Sequence, residues 1–290
     1  MIVIGLNGGI GNQLFQYAFG RKLSIQFNTA LVLDVSSFEK DTLRKYSLSP
    51  FSVKHRAITN KDRMLFEIDE RNGIEDLAGS LLKWIYRPVV IKEKQFNYDA
   101  DVLKRAKKNT HLIGYWQSEK YFSDIRTELL QDFTIKHLLE NKNKEFAKHI
   151  TSANSVSLHV RRGDYISNPV TNNYHGTCGL DYYAKAIETI VSKIPNPVIF
   201  IFSDDLQWTK NNFNTDFETI FVDANKDETA HEDLRLMSLC KHNIIANSSF
   251  SWWGAWLNQN KDKIVLAPQK WFNDSSINTQ DLIPSSWIRI

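Results

Sequence analysis

Cysteine and long apolar runs are what this sequence has least of. Its 290 residues include two cysteines, Cys178 and Cys240, which lack the close spacing of metal ligands. A disulfide scaffold and a cysteine-bound metal are therefore excluded, and a reducing compartment is the simplest setting. No apolar run reaches the roughly 18 residues that a membrane span needs, and residues 1–6 lack the features of a signal peptide. We therefore expect a soluble, cytoplasmic protein.

A large excess of charge of either sign is also absent. Lysine and arginine number 36 against 33 aspartate and glutamate residues, which gives a net charge of +3. Nucleic-acid-binding proteins usually carry a dominant basic patch, so this balance argues against a nucleic-acid partner. The hydrophobic fraction of 42% suits a globular protein with a sizeable core, and the 8 Trp, 10 Tyr and 17 Phe residues offer surfaces that stack on sugars and bases.

Apolar runs alternate with amphipathic helical patterns through the second half of the chain. This alternation is typical of a parallel sheet whose strands are joined by crossover helices. The predicted strands are 155–160, 198–202, 218–222, 243–246 and 263–266, and the predicted helices are 180–194, 206–212, 229–240 and 251–259.

The first half shows a less regular version of the same pattern. Its predicted strands are 1–4, 29–33 and 111–115, and its predicted helical segments are 13–27, 61–70, 75–86 and 122–150. We place a domain boundary near residue 150. The sequence therefore predicts an α/β protein with two Rossmann-like domains, 1–150 and 151–290, which face each other across a cleft.

Three polar motifs in the second half directly follow predicted strands, at 159–165, 203–205 and 247–254. Ligands of open α/β sheets bind at the carboxyl ends of the strands, so we expect these motifs to lie together there. Arg161 and Arg162 suit a phosphate, because guanidinium groups match phosphate oxygens in a two-pronged geometry. The alternative is that one arginine holds the loop, paired with Asp164, since adjacent strand residues point in opposite directions.

The other two motifs have both a binding and a structural interpretation. Ser248 and Ser249 open a predicted helix, where free N–H groups form an anion site, although capping by serine is the alternative. Asp204 and Asp205 can accept hydrogen bonds from the N–H edge of guanine or from ribose hydroxyls, or one of them can cap the following helix. The long polar segment 163–179 is interpreted as a functional lid.

Two further motifs match dinucleotide and metal sites only weakly. Gly9 and Gly11 follow a strand as in nicotinamide-binding folds, but Leu14 stands where the third glycine belongs. Asp99 and Asp101 resemble a metal-binding Asp-x-Asp motif, yet they precede a helix, so capping explains them better. The eight histidines show no ligand spacing either, and we therefore expect a metal-free site.

Taken together, the motifs resemble those of the alpha-1,2-fucosyltransferases of glycosyltransferase family 11. The resemblance runs from residue 5 to about residue 272 and is carried by segments 8–18, 114–118, 159–165, 202–205 and 247–256. It implies a GT-B-like fold, GDP-fucose as the donor, inversion at the anomeric carbon, and no metal or other cofactor. The missing membrane anchor is similar to the bacterial branch of the family, for which peripheral contact with the inner membrane stays open.

The resemblance also implies roles for individual residues. Arg161 would contact the β-phosphate, and His159 with one of Asp204 or Asp205 would lie near the guanine. Asp164 is the nearest acidic candidate for a catalytic base, or it braces an arginine. The remaining nucleotide-binding positions that the resemblance implies are Asn12, Arg162, Ser248, Ser249 and Phe250.

The function that follows is an expectation with two alternatives. We expect transfer of L-fucose to the 2-hydroxyl of a terminal galactoside in surface-glycan synthesis. The acceptor would be a galactose-terminated oligosaccharide or a lipid-linked glycan. The alternatives are a fucosyltransferase of another linkage and a sugar-nucleotide or glycan-binding protein without turnover. The first domain is expected to bind the acceptor, the second to bind the donor, and the last 20 or so residues to pack back on the first domain.

Overall fold

A computed structural model describes residues 1–66, 86–163, 174, 176–213 and 215–290. The chain forms two compact units, Met1–Thr134 with Gln280–Leu282 and Ile135–Thr279 with Ile283–Ile290. The division therefore comes earlier in the chain than residue 150. The helix before that position belongs to the second unit because Ala147 and Ile150 pack in a hydrophobic cluster of that unit. A short part of the chain end, Gln280–Leu282, belongs to the first unit.

The first unit is built on a parallel sheet with the strand order β3-β2-β1-β5-β4. Its strands are β1 (Ile2–Gly5), β2 (Leu31–Asp34), β3 (Arg56–Ala57), β4 (Val89–Lys92) and β5 (Thr110–Ile113). Its helices are α1 (Ile10–Gln26), α2 (Asn60–Phe66), α3 (Ala100–Arg105) and α4 (Arg126–Asp132).

Helix α1 is buried on most of its surface, and this burial extends to polar residues. Gln13 and Gln16 are completely buried, together with Leu14, Phe15 and Tyr17. Gln13 donates hydrogen bonds of 2.9 Å to the carbonyls of Gly8 and Lys45, and its own carbonyl accepts one of 2.8 Å from the Ser47 backbone. Buried amides need such partners, so the hydrogen bonds of Gln13 stabilise the packing of α1 against the two segments that it contacts.

The second unit contains a six-stranded parallel sheet with the order β11-β10-β9-β6-β7-β8. Its strands are β6 (Asn154–Val160), β7 (Pro197–Ser203), β8 (Thr219–Phe221), β9 (His242–Ile244), β10 (Val265–Ala267) and β11 (Ile288–Arg289). Its helices are α5 (Asn141–Ser152), α6 (Leu180–Val191), α7 (Leu206–Asn212), α8 (Ala230–Leu239) and α9 (Ser249–Leu257).

Helices cover both faces of the central strands of this sheet. In β6, Val156, Leu158 and Val160 pack with α6, while Phe200 and Phe202 of β7 pack in a second cluster with residues of α5 and α8. Strand β7 reads as a continuous apolar run, as expected for a strand buried on both faces, whereas apolar residues of β6 alternate with buried polar ones. The predicted α/β class with two Rossmann-like domains is confirmed.

Several details differ from the sequence-based expectation. The predicted helix over 122–150 is two helices, α4 and α5, which are separated by residues 133–140. The first of these residues, Phe133, packs its ring against Tyr17 and Phe51. Strands β3, β4 and β11 were not predicted. The predicted helix over 75–86 falls almost entirely outside the described residues, as does the end of the one over 61–70. No helix among the described residues has both the length and the apolar character that a membrane crossing requires.

Candidate functional site

The carboxyl ends of β6, β7 and β9 lie side by side in the second sheet. Val160 of β6 is in register with Ser203 of β7, and Leu158 with Ile244 of β9. The residues that follow these strands therefore leave the sheet at one edge, and they are the three predicted motifs. The register of these strands therefore brings the three motifs to the same edge of the sheet, as predicted.

An ion pair joins the first two motifs. Nη1 of Arg161 lies 2.8 Å from Oδ2 of Asp204, and each side chain is 22% exposed. The other carboxylate oxygen, Oδ1, accepts a hydrogen bond of 2.8 Å from the backbone N–H of Arg162. Asp204 therefore contacts both arginines: it binds the guanidinium group of Arg161 and the backbone N–H of Arg162. Asp164, the partner that the sequence suggested, lies outside the described residues.

Gly163, between the arginines and Asp164, lies so close to the Asp204 carboxylate that a side chain would not fit. A Cβ on Gly163 would lie 2.9 Å from Oδ2 of Asp204, the oxygen that pairs with Arg161. Real Cβ atoms do not approach an oxygen so closely without a shift of one of them. Glycine at this position thus leaves room for the carboxylate to reach Arg161.

The two aspartates after β7 have different roles. Asp205 is the N-cap of α7 and accepts a hydrogen bond of 3.1 Å from the Trp208 backbone N–H, while its own N–H donates to Ser203 Oγ at 3.0 Å. The capping alternative therefore applies to Asp205, and Asp204 is the residue that contacts the arginines. Trp208 was not singled out from the sequence, yet the guanidinium carbon of Arg162 lies 3.5 Å from the centroid of its ring.

His159 is buried near the end of β6, with 4% of its surface exposed. Burial lowers the pKa of His159 to about 3; the nearby Arg161 acts in the same direction, and Asp204 opposes it. The imidazole is therefore neutral at physiological pH. Its ring centroid lies 5.6 Å from that of Phe250, and the Tyr183 hydroxyl donates a hydrogen bond of 3.1 Å to the His159 carbonyl. A neutral imidazole can bind a base by hydrogen bonding but adds no charge for a phosphate.

The third motif forms the start of helix α9. Ser248 is the N-cap, and its Oγ accepts a hydrogen bond of 3.4 Å from the Phe250 backbone. Ser249 and Phe250 are half-buried in the first turn. The capping interpretation of Ser248 thus holds, and a helix start is also a position where proteins bind anions.

Asn247, just before this helix, ties the helix start to two other segments. Its Nδ2 donates hydrogen bonds of 3.2 Å to the carbonyls of Gly176 and Trp271, and its Oδ1 accepts one of 3.5 Å from the Cys178 thiol. Most of the predicted lid, 164–173 and residue 175, lies outside the described residues. Gly176 and Cys178, in the last part of segment 163–179, are therefore anchored at the start of α9.

Asn12 belongs to the first unit, whereas the other predicted site residues belong to the second. Its Oδ1 accepts a hydrogen bond of 2.8 Å from Nε2 of Gln117, which follows β5. Gly8 has a φ of +71°, and a Cβ there would lie 2.6 Å from Nδ2 of Asn12. Glycine at this position therefore allows both the turn and the close packing of Asn12.

A cavity of about 360 Å³ in the first unit was not anticipated from the sequence. Its lining includes Glu93, Asn97, Tyr98, Trp116 and Tyr121. Glu93 follows β4 and accepts hydrogen bonds of 2.7 and 3.0 Å from the backbone N–H groups of Tyr115 and Trp116. The sequence signal for Glu93 is its position directly after β4, a strand that the sequence pattern did not predict.

The Asp-x-Asp motif is a helix cap. Asp99 is the N-cap of α3 and accepts a hydrogen bond of 2.9 Å from the Asp101 backbone, and Asp101 pairs with Lys104 at 2.8 Å. Within the described ranges, no group of three or more His, Cys, Asp or Glu side chains could hold a metal ion.

Comparison with known proteins gives consistent matches. Residues 94–290 match the model of Glycosyl transferase family 11. An alpha-1,2-colitosyltransferase of Escherichia coli is 34% identical, with 100% of this chain and 99% of that protein covered. The O-antigen biosynthesis glycosyltransferase WbnK of the same species is 37% identical, with 98% and 99% covered. The resemblance predicted from the motifs is therefore confirmed.

One solved structure supports the fold alone. A mutant of Arabidopsis thaliana FUT1 in complex with GDP superimposes with a TM-score of 0.50 at 13% identity, covering 98% of this chain and 74% of that one. With the two parallel sheets, this similarity confirms the predicted GT-B-like class.

Proposed function

The chain belongs to glycosyl transferase family 11, and from this premise we propose that it transfers L-fucose from GDP-fucose to the 2-hydroxyl of a terminal galactoside. The observation that carries this proposal is the position of Arg161, Arg162 and the start of α9 at one edge of the second sheet. Fixed guanidinium groups and helix N–H groups stabilise the negative charge that develops on a departing diphosphate. These groups make a divalent cation unnecessary in our proposal, and no other cofactor is invoked.

The two arginines would share the diphosphate. Arg161 is paired with Asp204, and because a guanidinium carries five N–H donors, we propose that it contacts the β-phosphate as well. Ser248, Ser249 and Phe250 would line the diphosphate at the start of α9.

Guanine would be recognised beside β7. Both oxygens of Asp204 are already engaged, by Arg161 and by the Arg162 backbone, whereas Asp205 uses one oxygen to cap α7. We therefore assign the N–H edge of guanine to Asp205, and the neutral, buried imidazole of His159 to a hydrogen bond near the base. The roles of the two aspartates would thus be divided between base recognition and support of the arginines.

The reaction would invert the configuration at the fucose anomeric carbon. The bond from this carbon to the β-phosphate oxygen breaks through an oxocarbenium-like state, and GDP departs with the electron pair. The acceptor hydroxyl oxygen forms the new bond from the opposite face and loses its proton. Asp164 stays the proposed base; its alternative, late proton loss to solvent, needs no carboxylate.

A second candidate donor is a colitosyl nucleotide, because one of the full-length relatives is an alpha-1,2-colitosyltransferase. Colitose differs from fucose only in lacking one hydroxyl group, so the same diphosphate site would serve both. The acceptor would be a galactose-terminated oligosaccharide or a lipid-linked glycan, as suits a relative of an O-antigen glycosyltransferase. For such a role we propose a cytoplasmic location, with peripheral contact at the inner membrane.

The test is an assay with GDP-fucose, lactose or N-acetyllactosamine, and excess EDTA. We expect release of GDP and a fucosylated product whose NMR spectrum has the linkage at the galactose 2-hydroxyl. Turnover only with a colitosyl donor would favour the second candidate, and another linkage would correct the acceptor position. Binding of GDP-fucose without turnover on any galactoside would favour a non-catalytic binding protein. Activity that EDTA abolishes and one divalent ion restores would overturn the metal-free mechanism.

A further inference from the structure

Arg162 stacks on an aromatic ring at the sheet edge. Its guanidinium carbon lies 3.5 Å from the centroid of the Trp208 ring, compared with 5.9 Å for Lys120 over Tyr98 in the first unit. A separation of 3.5 Å is that of two flat groups in face-to-face contact, and arginine on tryptophan is a favoured cation–π pair. The ring therefore fixes the plane of the guanidinium group.

Trp208 is itself firmly held. Its backbone N–H donates the capping hydrogen bond of 3.1 Å to Asp205, and its indole packs against Phe213 with ring centroids 6.2 Å apart. The same tryptophan contacts the core cluster under β6 and β7. Arg162 is thus held at two points: its backbone N–H binds Asp204, and its guanidinium group stacks on the ring of Trp208.

The two arginine side chains contact different groups. Arg161 faces the carboxylate of Asp204 at 2.8 Å. The Arg162 guanidinium faces an uncharged ring, and no carboxylate among the described residues pairs with it. Its Nε is buried and has no hydrogen-bond partner there either, so only the two terminal amino groups are positioned to serve a ligand. Stacking on an uncharged ring therefore adds no negative charge next to the two terminal amino groups of Arg162.

We propose that Trp208 is a positioning residue for the donor diphosphate: it holds Arg162 so that the terminal amino groups point at the phosphates. The inference rests on the proposed function, because it requires a nucleoside diphosphate at this edge. The ring fixes the plane of the guanidinium group without a further negative charge beside the phosphates.

The experiment compares the affinities of GDP and guanosine by isothermal titration calorimetry. The ratio of the two dissociation constants isolates the diphosphate contacts from those of the base. Trp208→Leu should lower this GDP preference about three- to tenfold, in line with the usual strength of a cation–π contact. Trp208→Phe, which keeps a ring, should stay within about twofold of the wild type.

A second arm tests whether Trp208 acts through Arg162. Arg162→Lys should lower the GDP preference by itself, because lysine has no planar fork. Trp208→Leu in that background should then have little further effect. The matched control is Phe221→Leu on β8, which removes a ring from the same cluster; it should lower the melting temperature but keep the GDP preference.

Several outcomes would overturn the inference. These are an unchanged GDP preference in Trp208→Leu or in Arg162→Lys, an equal loss of guanosine binding, and full additivity of the two substitutions. If Trp208→Leu does not fold, Trp208→Met takes its place, and the Arg162→Lys arm decides independently of both. A wild-type protein that binds neither GDP nor GDP-fucose would instead defeat the proposed function, so the two failures are distinguishable.

Discussion

Arg161 and Asp204 form an ion pair of 2.8 Å across the ends of two neighbouring parallel strands. The pair links the arginine motif after β6 to the aspartate motif after β7. The geometry of the pair depends on the register of the two strands, in which Val160 lies opposite Ser203. An arginine fixed in this way is already oriented before a ligand arrives, and such preorganisation is what an electrostatic catalyst needs.

Arg161→Ala should remove most activity while leaving the fold intact. A group that stabilises charge in the transition state is worth on the order of 100-fold or more in kcat. Arg161→Lys should recover part of this loss, because lysine keeps the charge but lacks the planar fork. Steady-state kinetics with GDP-fucose measure the effect, and circular dichroism checks the fold. Near-normal turnover in Arg161→Ala would contradict its assignment to the β-phosphate.

The two aspartates after β7 should respond differently to the same isosteric change. Asp205→Asn keeps the cap of α7, because asparagine caps helices well, but we expect it to weaken guanosine binding about tenfold through the lost charged acceptor. Asp204→Asn should leave guanosine binding nearly unchanged and lower turnover, since Arg161 loses its ion pair. Calorimetry with guanosine separates the two roles. The reverse pattern would assign the base to Asp204.

The sequence predicted the central strands of both sheets, and the three strands that it missed, β3, β4 and β11, all lie at sheet edges. Strand β7 reads as an apolar run, and the polar residues that follow β6 and β7 marked the site. By contrast, β11 is two residues long and exists only because Ile288 and Arg289 pair with Leu266 and Ala267, far away in the sequence. No local pattern encodes such a partner.

The same distinction applies to the site. Residue type and strand-end position identified Arg161, Arg162 and the aspartates. The division of roles among them could not be predicted, because it depends on which side chains meet in space. Trp208 illustrates the limit: its helical position is typical of a core residue, and only the folded chain brings it over Arg162.

Tyr17→Phe should destabilise the first unit without affecting donor binding. The buried hydroxyl donates to Oδ2 of Asp132 at 2.8 Å and accepts from the Lys54 backbone at 2.8 Å. Its loss leaves buried polar groups without a partner, which typically costs about 1–3 kcal/mol in the free energy of unfolding. Urea unfolding measures the change. The control is Tyr86→Phe, on an exposed ring, which should shift stability by less than about 0.5 kcal/mol.

His159 should make the folded protein less stable in mild acid. Its pKa is lowered to about 3 by burial, against 6.5 for an ordinary histidine, so between these values the unfolded chain binds a proton that the folded protein does not. The contribution is therefore fully present above pH 6.5 and is lost as the pH falls towards 3. Between pH 7 and 5, His159→Gln should show a shallower loss of unfolding free energy than the wild type, by up to about 1 kcal/mol per pH unit. Equal slopes would contradict a neutral, buried imidazole.

Gly163→Ala should impair activity through Asp204 rather than through the fold as a whole. The added methyl group would lie 2.9 Å from Oδ2, so the carboxylate must move away from Arg161 and the arginine loses its orientation. A misplaced catalytic group can cost a large factor in rate, and we expect kcat to fall at least about tenfold. The matched control is Gly5→Ala at the end of β1, where the nearest atom to a Cβ is the Leu112 carbonyl oxygen at 3.8 Å; its kcat should stay near that of the wild type. Both variants should have similar melting temperatures. A Gly163→Ala enzyme with normal kcat would mean that the contact between Asp204 and Arg161 is not needed for turnover.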